Sequence, residues 1–206
     1  MTTRAELRAS LRLTLEDSAG ANHLWDDATL NEALRTAVRA YGTAHPVQLS
    51  TSLSVSAGAS QYALPAVILD GRDLVALLDD QSREVPHNPS PPPDSLGSFR
   101  ALSWRTWGNQ LYLSAAPSAA ATWSILYLSP RVLIEDDVTA QPIAPGDESI
   151  IDAEAAAIAL ETRAAAELKR GQTRNAAGFR LLAEQLHARA DQLATKRTRT
   201  VRVGSL

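Results

Sequence analysis

The hydrophobic period of this sequence changes twice, and that change limits the folds open to the chain. Apolar residues recur every three to four positions up to residue 46, at alternate positions over much of 47–130, and every three to four positions again over 147–195. A helical period places side chains on one face of an α-helix, whereas alternation places them on one face of a strand. The pattern therefore predicts an α+β protein in which helices flank a β insertion.

Two amphipathic helices are predicted in residues 1–46. The first follows Thr3 and Glu6, which have the spacing of a capping box, in which the hydroxyl and the carboxylate each bind an orphan backbone amide. We expect Gly42 and Pro46 to end the second helix.

A helical hairpin is predicted in residues 131–195. Asp147 is expected to cap the first helix of the hairpin, which is rich in alanine, and Gly171 is expected to end it. The second helix carries an apolar seam with spacings of three and four residues, formed by Phe179, Leu182, Leu186, Ala190 and Leu193. Because the connection is short, the two helices are expected to be antiparallel, and with the N-terminal pair they predict a four-helix bundle.

A small antiparallel β unit of five or six strands is predicted in residues 47–130. Residues 47–55 alternate as a half-buried strand, and a turn then leads to a short return strand at 61–65. A hairpin is indicated around residues 107–109. Residues 79–98 contain five prolines, so they are predicted to be an extended loop that cannot join a ladder of hydrogen bonds.

Charge is unevenly divided along the chain. Residues 1–149 carry 10 basic and 17 acidic side chains, whereas residues 150–206 carry 10 basic and 6 acidic side chains. Within the second part, residues 196–206 contain four basic residues and no acid, and over residues 194–206 the helical period gives way to β-branched alternation. This segment is predicted to be either a frayed, solvated terminus or an arm that gains order against a partner, by adding a strand or by pairing with acidic groups. The candidate arm residues are Lys196, Arg197, Arg199, Val201, Arg202 and Val203.

Few residue patterns point to catalysis. The chain has no cysteine, its four histidines lack metal-ligand spacing, and no serine lies in a nucleophile elbow. A net charge of -3 gives no general attraction to nucleic acid, and no apolar run is long enough to span a membrane. We therefore expect no catalytic residue, no metal or other cofactor, and no membrane partner.

Three acidic pairs would suit a small hydrolase if their carboxylates shared a site. The pairs are Asp26-Asp27, Asp79-Asp80 and Asp136-Asp137. Neighbouring residues usually point in different directions, so a simpler interpretation is helix capping for the first pair and solvated loops for the other two.

Aromatic residues of the β unit offer another function. Trp104, Trp107, Trp123 and Tyr127 would form a stacking platform for a glycan or for single-stranded nucleic acid if all were exposed. The simpler interpretation is that Trp104 and Trp123 fill the β core while Trp107 caps a hairpin, because no basic cluster surrounds them.

Several segments resemble the head–tail adaptor, or connector, proteins of tailed bacteriophages. The paired N-terminal helices, two β hairpins and the alanine-rich helix all take part. These segments are Glu6–Leu15, Trp25–Arg35, Leu53–Gly58, Gln61–Pro65, Trp107–Leu113 with Ala116-Pro117, and the helix that follows Asp147.

The resemblance implies a non-enzymatic virion protein that is assembled in the host cytoplasm and lies at the head–tail junction. Such adaptors form a ring, usually of twelve copies, beneath the portal protein, and a C-terminal arm commonly reaches the portal. Genomic DNA would pass through the lumen without sequence-specific binding. A downstream tail or stopper protein would bind the opposite face of the ring.

Overall fold

The computed structural model describes residues 2–17, 23–68, 70–89 and 102–203, with the backbone alone given for 198–203. Within these ranges the elements follow the predicted order of two helices, a set of strands and two helices, which confirms the α+β class. The chain divides into a helical unit, Met1–His45 with Pro130–Leu206, and a β unit, Pro46–Ser129.

The helical unit contains four helices with one shared core. They are α1 (Arg4–Thr14), α2 (Asp27–Ala44), α3 (Glu148–Lys169) and α4 (Thr173–Val203). Buried residues from all four helices form one cluster, and α3 contacts each of the other three helices. The bundle geometry itself stays a prediction.

Alanine lets the helices around α3 approach it closely. Six of the ten buried residues of α3 are alanine, and Ala176, Ala183 and Ala190 of α4 are buried too. The predicted seam of α4 is wrong at Leu182, whose side chain is 49% exposed. The neighbouring Ala183 is buried in its place, because a small side chain is what a close approach of two backbones requires.

The ends of three helices follow the predicted chemistry. The capping box of Thr3 and Glu6 is present at the start of α1, and Gly171 follows α3 with a φ of 76°. Asp26 caps α2 by accepting a hydrogen bond of 2.7 Å from the backbone N of Thr29.

Gly42 does not end α2, as the sequence suggested, but lies inside it. A Cβ atom at this position would lie 2.5 Å from the backbone N of Arg131 and 2.7 Å from its carbonyl O. The glycine is therefore needed for the close passage of the segment that leads from the β unit back to the helices. The helix continues to Ala44, two residues before Pro46.

The β unit contains seven described strands in two antiparallel sheets. The strands are β1 (Val47–Val55), β2 (Gln61–Ala63), β3 (Leu74–Leu78), β4 (Glu84–Val85), β5 (Trp104–Trp107), β6 (Gln110–Leu113) and β7 (Ala121–Ser129). The four-stranded sheet has the order β1-β7-β3-β4 and the three-stranded sheet has the order β2-β6-β5. Alternate residues of β7, namely Trp123, Ile125 and Tyr127, enter the core.

The predicted pairing of β1 with β2 in a hairpin is wrong, although both strands and the turn between them are present. β1 pairs with β7 along nine residues, from Val47–Ser129 to Val55–Ala121, while β2 pairs with β6 in the other sheet. The long pairing with β7 satisfies far more backbone groups than three residues of β2 could. The second hairpin, in which β5 and β6 flank Gly108 and Asn109, is confirmed.

Part of the predicted proline-rich loop joins a sheet. Glu84 and Val85 form β4 against Leu77 and Leu78, and the carbonyl of Val85 accepts a 2.9 Å hydrogen bond from the indole of Trp104. The segment is held because Val85 is buried beside that tryptophan. Residues 90–98 of the predicted loop lie outside the described residues.

We expect the substitution Gly42→Ala to lower the free energy of unfolding by about 1–3 kcal/mol, because the new methyl group overlaps the backbone of Arg131. The matched control is Gly178→Ala in α4, where no atom lies within 4 Å of the added Cβ. Removing a glycine from an exposed helix position should raise stability by roughly 0.5–1 kcal/mol. Chemical denaturation of both variants measures the difference, and similar effects at the two positions would contradict the proposed close passage.

Candidate functional site

The first acidic pair has a structural role in both of its residues. Asp26 caps α2, as predicted. Asp27 instead binds the guanidinium of Arg12 at 2.6 Å, and Arg12 also binds Asp17 at 2.6 Å. The two neighbouring carboxylates thus serve different partners and do not form one site.

Each of the other two acidic pairs contains one aspartate that binds arginine. Asp79 is only 12% exposed in its side chain and binds Arg83 at 2.8 Å. Asp137 binds Arg4 at 2.7 Å and Arg8 at 3.1 Å, so it ties the segment before α3 to α1. The prediction of a solvated loop is therefore wrong for Asp79, which Arg83 covers from four residues away, whereas the side chain of Asp137 remains 43% exposed.

The aromatic residues do not form a stacking platform. Trp104, Trp123 and Tyr127 are buried in the β core, with exposures between 3% and 6%. Trp107 is 75% exposed and stands at the end of β5, next to the hairpin turn. The simpler interpretation of the sequence is confirmed for the two buried tryptophans.

The histidines each have a local partner. The ring of His45 lies against Tyr41, that of His87 lies 4.3 Å from the Trp104 ring, and Nδ1 of His23 lies 3.0 Å from the carbonyl O of Asp17. Among the described residues, no three acidic or histidine side chains are grouped so that they could hold a metal ion. No helix in the described ranges combines the length and apolarity needed to cross a membrane.

The candidate arm begins as a continuation of α4. The helix runs to Val203, so the predicted change to strand-like alternation after Ala194 is wrong. Lysine and arginine favour helix, and each residue added to an existing helix gains a backbone hydrogen bond without the cost of a new nucleus. The side chains of Arg199, Val201, Arg202 and Val203 lie outside the described part of the structure.

The helix α4 is longer than its partner in the hairpin. It has 31 residues and α3 has 22, so at a rise of about 1.5 Å per residue α4 is longer by roughly 13 Å. Because Arg197 reaches Asp147, the residue just before α3, the last turns of α4 extend past the start of α3.

The buried carboxylate of Asp147 holds α4 beside the start of α3. Asp147, with 2% of its side chain exposed, forms an ion pair with Arg197 and accepts a hydrogen bond from the hydroxyl of Tyr41. Arg197 also donates a 3.0 Å hydrogen bond to the carbonyl O of Pro145. We call Tyr41, Asp147 and Arg197 the anchor, since they join α2, the start of α3 and the end of α4.

The prediction that Asp147 caps α3 is half right. The residue occupies the N-cap position, but its side chain makes no capping hydrogen bond to the helix. Its carboxylate is instead engaged by two distant side chains. Glu148 faces the backbone nearby, where its carboxylate accepts a 2.8 Å hydrogen bond from the N of Gly146.

The anchor keeps the Tyr41 hydroxyl protonated. Burial raises the pKa of Tyr41, and the hydrogen bond to Asp147 and the negative charge of that carboxylate raise it further. The guanidinium of Arg131 lies 5.6 Å from the centre of the Tyr41 ring and counteracts part of this effect. The hydroxyl therefore remains a donor to Asp147 across the neutral range.

Arg197, one of the six candidate arm residues, thus has a partner within the chain. Arg197, predicted to contact the portal, is only 33% exposed in its side chain and belongs to the anchor. The sequence contains a signal that the Arg197 side chain faces the protein interior. Arg197 follows Ala176, Ala183 and Ala190 at the same spacing of seven residues, which places it on the buried side of α4.

We expect Arg197→Met to lower the free energy of unfolding by about 1–3 kcal/mol, because the buried carboxylate of Asp147 loses its counter-charge. As a control, Arg174→Met removes an exposed cation of the same helix and should change stability by less than about 0.5 kcal/mol. Urea denaturation measures both.

The double variant Asp147→Asn/Arg197→Met should recover part of the loss, since it leaves no unpaired buried charge. If Arg197→Met costs no more than Arg174→Met, the ion pair does not hold the end of α4.

His187 gives the hairpin of α3 and α4 a dependence on pH. Burial lowers the pKa of His187, but its 2.9 Å hydrogen bond to Glu154 and the charges of Glu154 and Glu161 outweigh burial and raise the pKa above 6.5. The folded protein therefore binds this proton more tightly than the unfolded chain does. The resulting stability is present below pH 6.5 and is lost as the pH rises through the raised pKa.

We expect His187→Gln to reduce this loss of stability between mildly acidic and neutral pH, and Glu161→Gln to bring the pKa of His187 closer to 6.5. Denaturation at a series of pH values and an NMR titration of the imidazole test the two statements. A titration midpoint at or below 6.5 in the unmodified protein would refute them.

One family model matches the chain. The family model described as SU10 adaptor protein matches residues 2–204, which is nearly the whole chain. No curated protein matches the chain.

Proposed function

The chain belongs to the SU10 adaptor protein family, and we propose that it is a structural subunit of the head–tail junction of a tailed phage. The observation that carries this proposal is the family match, which includes both the helical unit and the β unit. The family match agrees with the resemblance of several sequence segments to phage head–tail adaptors. The proposed role is structural and not enzymatic.

The proposed assembly is a ring, of twelve copies as is usual for such adaptors, beneath the portal protein. The ring would extend the channel through which genomic DNA passes, without sequence-specific binding, and would present a docking surface to the tail or to a stopper protein. The division of charge supports association between copies, because an acidic first part and a basic last part attract each other and favour one register.

The last turns of α4 are the proposed contact with the portal. The described helix extends beyond the anchor by six residues, from Arg197 to Val203, which is about 9 Å. Arg199 and Arg202 lie in this extension, and positive charge is favourable at the C-terminus of a helix. A partner surface that carries carboxylates fits this chemistry. Because the backbone is already helical, docking would lose less conformational entropy than ordering a free tail.

A glycan- or nucleic-acid-binding function is not proposed as a second candidate. Of the four aromatic residues that suggested it, three are buried, and a single exposed indole at Trp107 does not make a platform for successive bases or sugars.

The double variant Arg199→Glu/Arg202→Glu tests the contact with the portal. We expect its affinity for the portal ring of the same phage to fall about tenfold or more, because two ion pairs of roughly 0.7 kcal/mol each amount to 1.4 kcal/mol. Affinity of the unmodified protein should also weaken as salt is raised. Sedimentation or surface binding to purified portal rings measures both effects.

The control for net charge is Arg39→Glu/Arg72→Glu, which changes the charge of the chain equally at two exposed positions outside α4. This variant should bind as well as the unmodified protein. Equal loss of affinity in both double variants would assign the effect to overall charge and would refute a role for the arm. Failure of the unmodified protein to bind portal rings or to join virions would refute the adaptor function.

A further inference from the structure

We propose that the exposed face of α4 binds, in a second copy of this chain, the segment that precedes α3. The inference rests on the proposed function, because it names the surfaces through which adaptor subunits would contact one another. The α4 outer face is defined by Arg174, Gly178, Leu181, Leu182, Gln185 and Arg189. The linker face is defined by Val132, Glu135, Asp136 and Val138, with Glu32 of α2 beside them.

The α4 outer face is a continuous surface of one helix. Apart from the adjacent pair Leu181 and Leu182, its successive residues are three or four positions apart, so they share a side of the helix. All six are exposed, and Leu181 and Leu182 have exposures of 58% and 49%. Two adjacent exposed leucines flanked by a glycine form an apolar, accessible centre of the kind that protein interfaces use.

The charge of the α4 outer face has one sign. Arg174 and Arg189 lie at its two ends, and none of its residues is acidic; the charge of Arg189 also acts on the Asp152 carboxylate of α3. The two acids of the helix point elsewhere, since Glu184 lines a recess with Glu161 and Arg180, and Asp191 lines another beside Tyr41. A partner for this face should therefore carry carboxylates around an apolar contact.

The linker face has the complementary chemistry. Val138 is 84% exposed and Val132 is 67% exposed, so apolar side chains are accessible there as well. Glu135 and Glu32 both bind Arg35, with side chains 72% and 64% exposed. The exposed Asp136 adds a further carboxylate. Glu32, Glu135 and Asp136 supply the carboxylates of this face, while the neighbouring Asp137 is the one that pairs with Arg4 and Arg8 of α1.

A second copy of the chain is the partner that these observations favour. Both faces belong to the helical unit, they differ from one another, and their charges are opposite. A contact between two different faces of identical subunits is heterologous, and its repetition closes into a ring when the rotation per subunit permits.

Disulfide trapping tests the contact, and the absence of cysteine from the chain means that every thiol is an introduced one. Val138→Cys and Leu181→Cys are made in two separately tagged chains, which are mixed with portal rings and oxidised. We expect a disulfide-linked heterodimer and little of either homodimer. In the control, Leu13→Cys on α1, which is 67% exposed, replaces Leu181→Cys and should give only background cross-linking.

Charge reversal tests the polar part of the same contact. Adding Arg189→Glu to the Leu181→Cys chain should lower the heterodimer yield about tenfold, and adding Glu135→Arg to the Val138→Cys chain should restore it. A heterodimer yield that neither substitution changes would overturn the inference. So would a Leu181→Cys homodimer as the main product, because it indicates that α4 pairs with the α4 of another copy.

Binding of the same chains to the portal is scored separately by sedimentation. If they bind the portal and no heterodimer exceeds the Leu13→Cys control, the inference fails while the adaptor function stands. If the heterodimer forms in solution and the portal is not bound, the contact between copies is supported and the proposed function fails.

Discussion

A carboxylate that is removed from water at the start of α3 determines where the packed part of this protein ends. The Asp147 carboxylate is buried there between Arg197 and Tyr41, which reach it from two other helices. The helices α2 and α4 are thereby tied to the same residue. Residues 198–203 of α4 follow the anchor, and they are the segment that is proposed to contact the portal.

The helical form of that segment changes how a contact with the portal should be understood. A free tail would lose backbone entropy for every residue that it orders, whereas a helix that continues from a packed hairpin has already lost most of it. The buried alanines of α4 hold this helix against α3, because small side chains allow a long and close contact between the two backbones. Recognition would then depend on which side chains the last turns present and less on the formation of a strand.

Several parts of the fold were predictable because they depend on neighbours in the chain. The capping box of Thr3 and Glu6, the turn at Gly108 and the glycine stop after α3 were each identified from local spacing. Predictions from the sequence were wrong where a residue or strand has a partner far away in the chain. β1 pairs with β7 and not with β2, and Val85 joins a sheet inside a proline-rich segment because Trp104 covers it. At the candidate site, the basic residues were identified, but the partner of Arg197 was not, since Asp147 is fifty residues away in sequence.

The sequence by itself determined the class of the protein: its hydrophobic period, its capping residues and its turns require helices at both ends and strands between them, because these signals act over one or two turns of chain. Only the tertiary structure decided which strands pair, that Gly42 lies against a passing backbone, and that the Asp147 carboxylate binds Arg197 and Tyr41 instead of capping α3. The physical reason is that burial and ion pairing depend on distances in space. Residues far apart along the chain reach those distances only after the helices and sheets have packed.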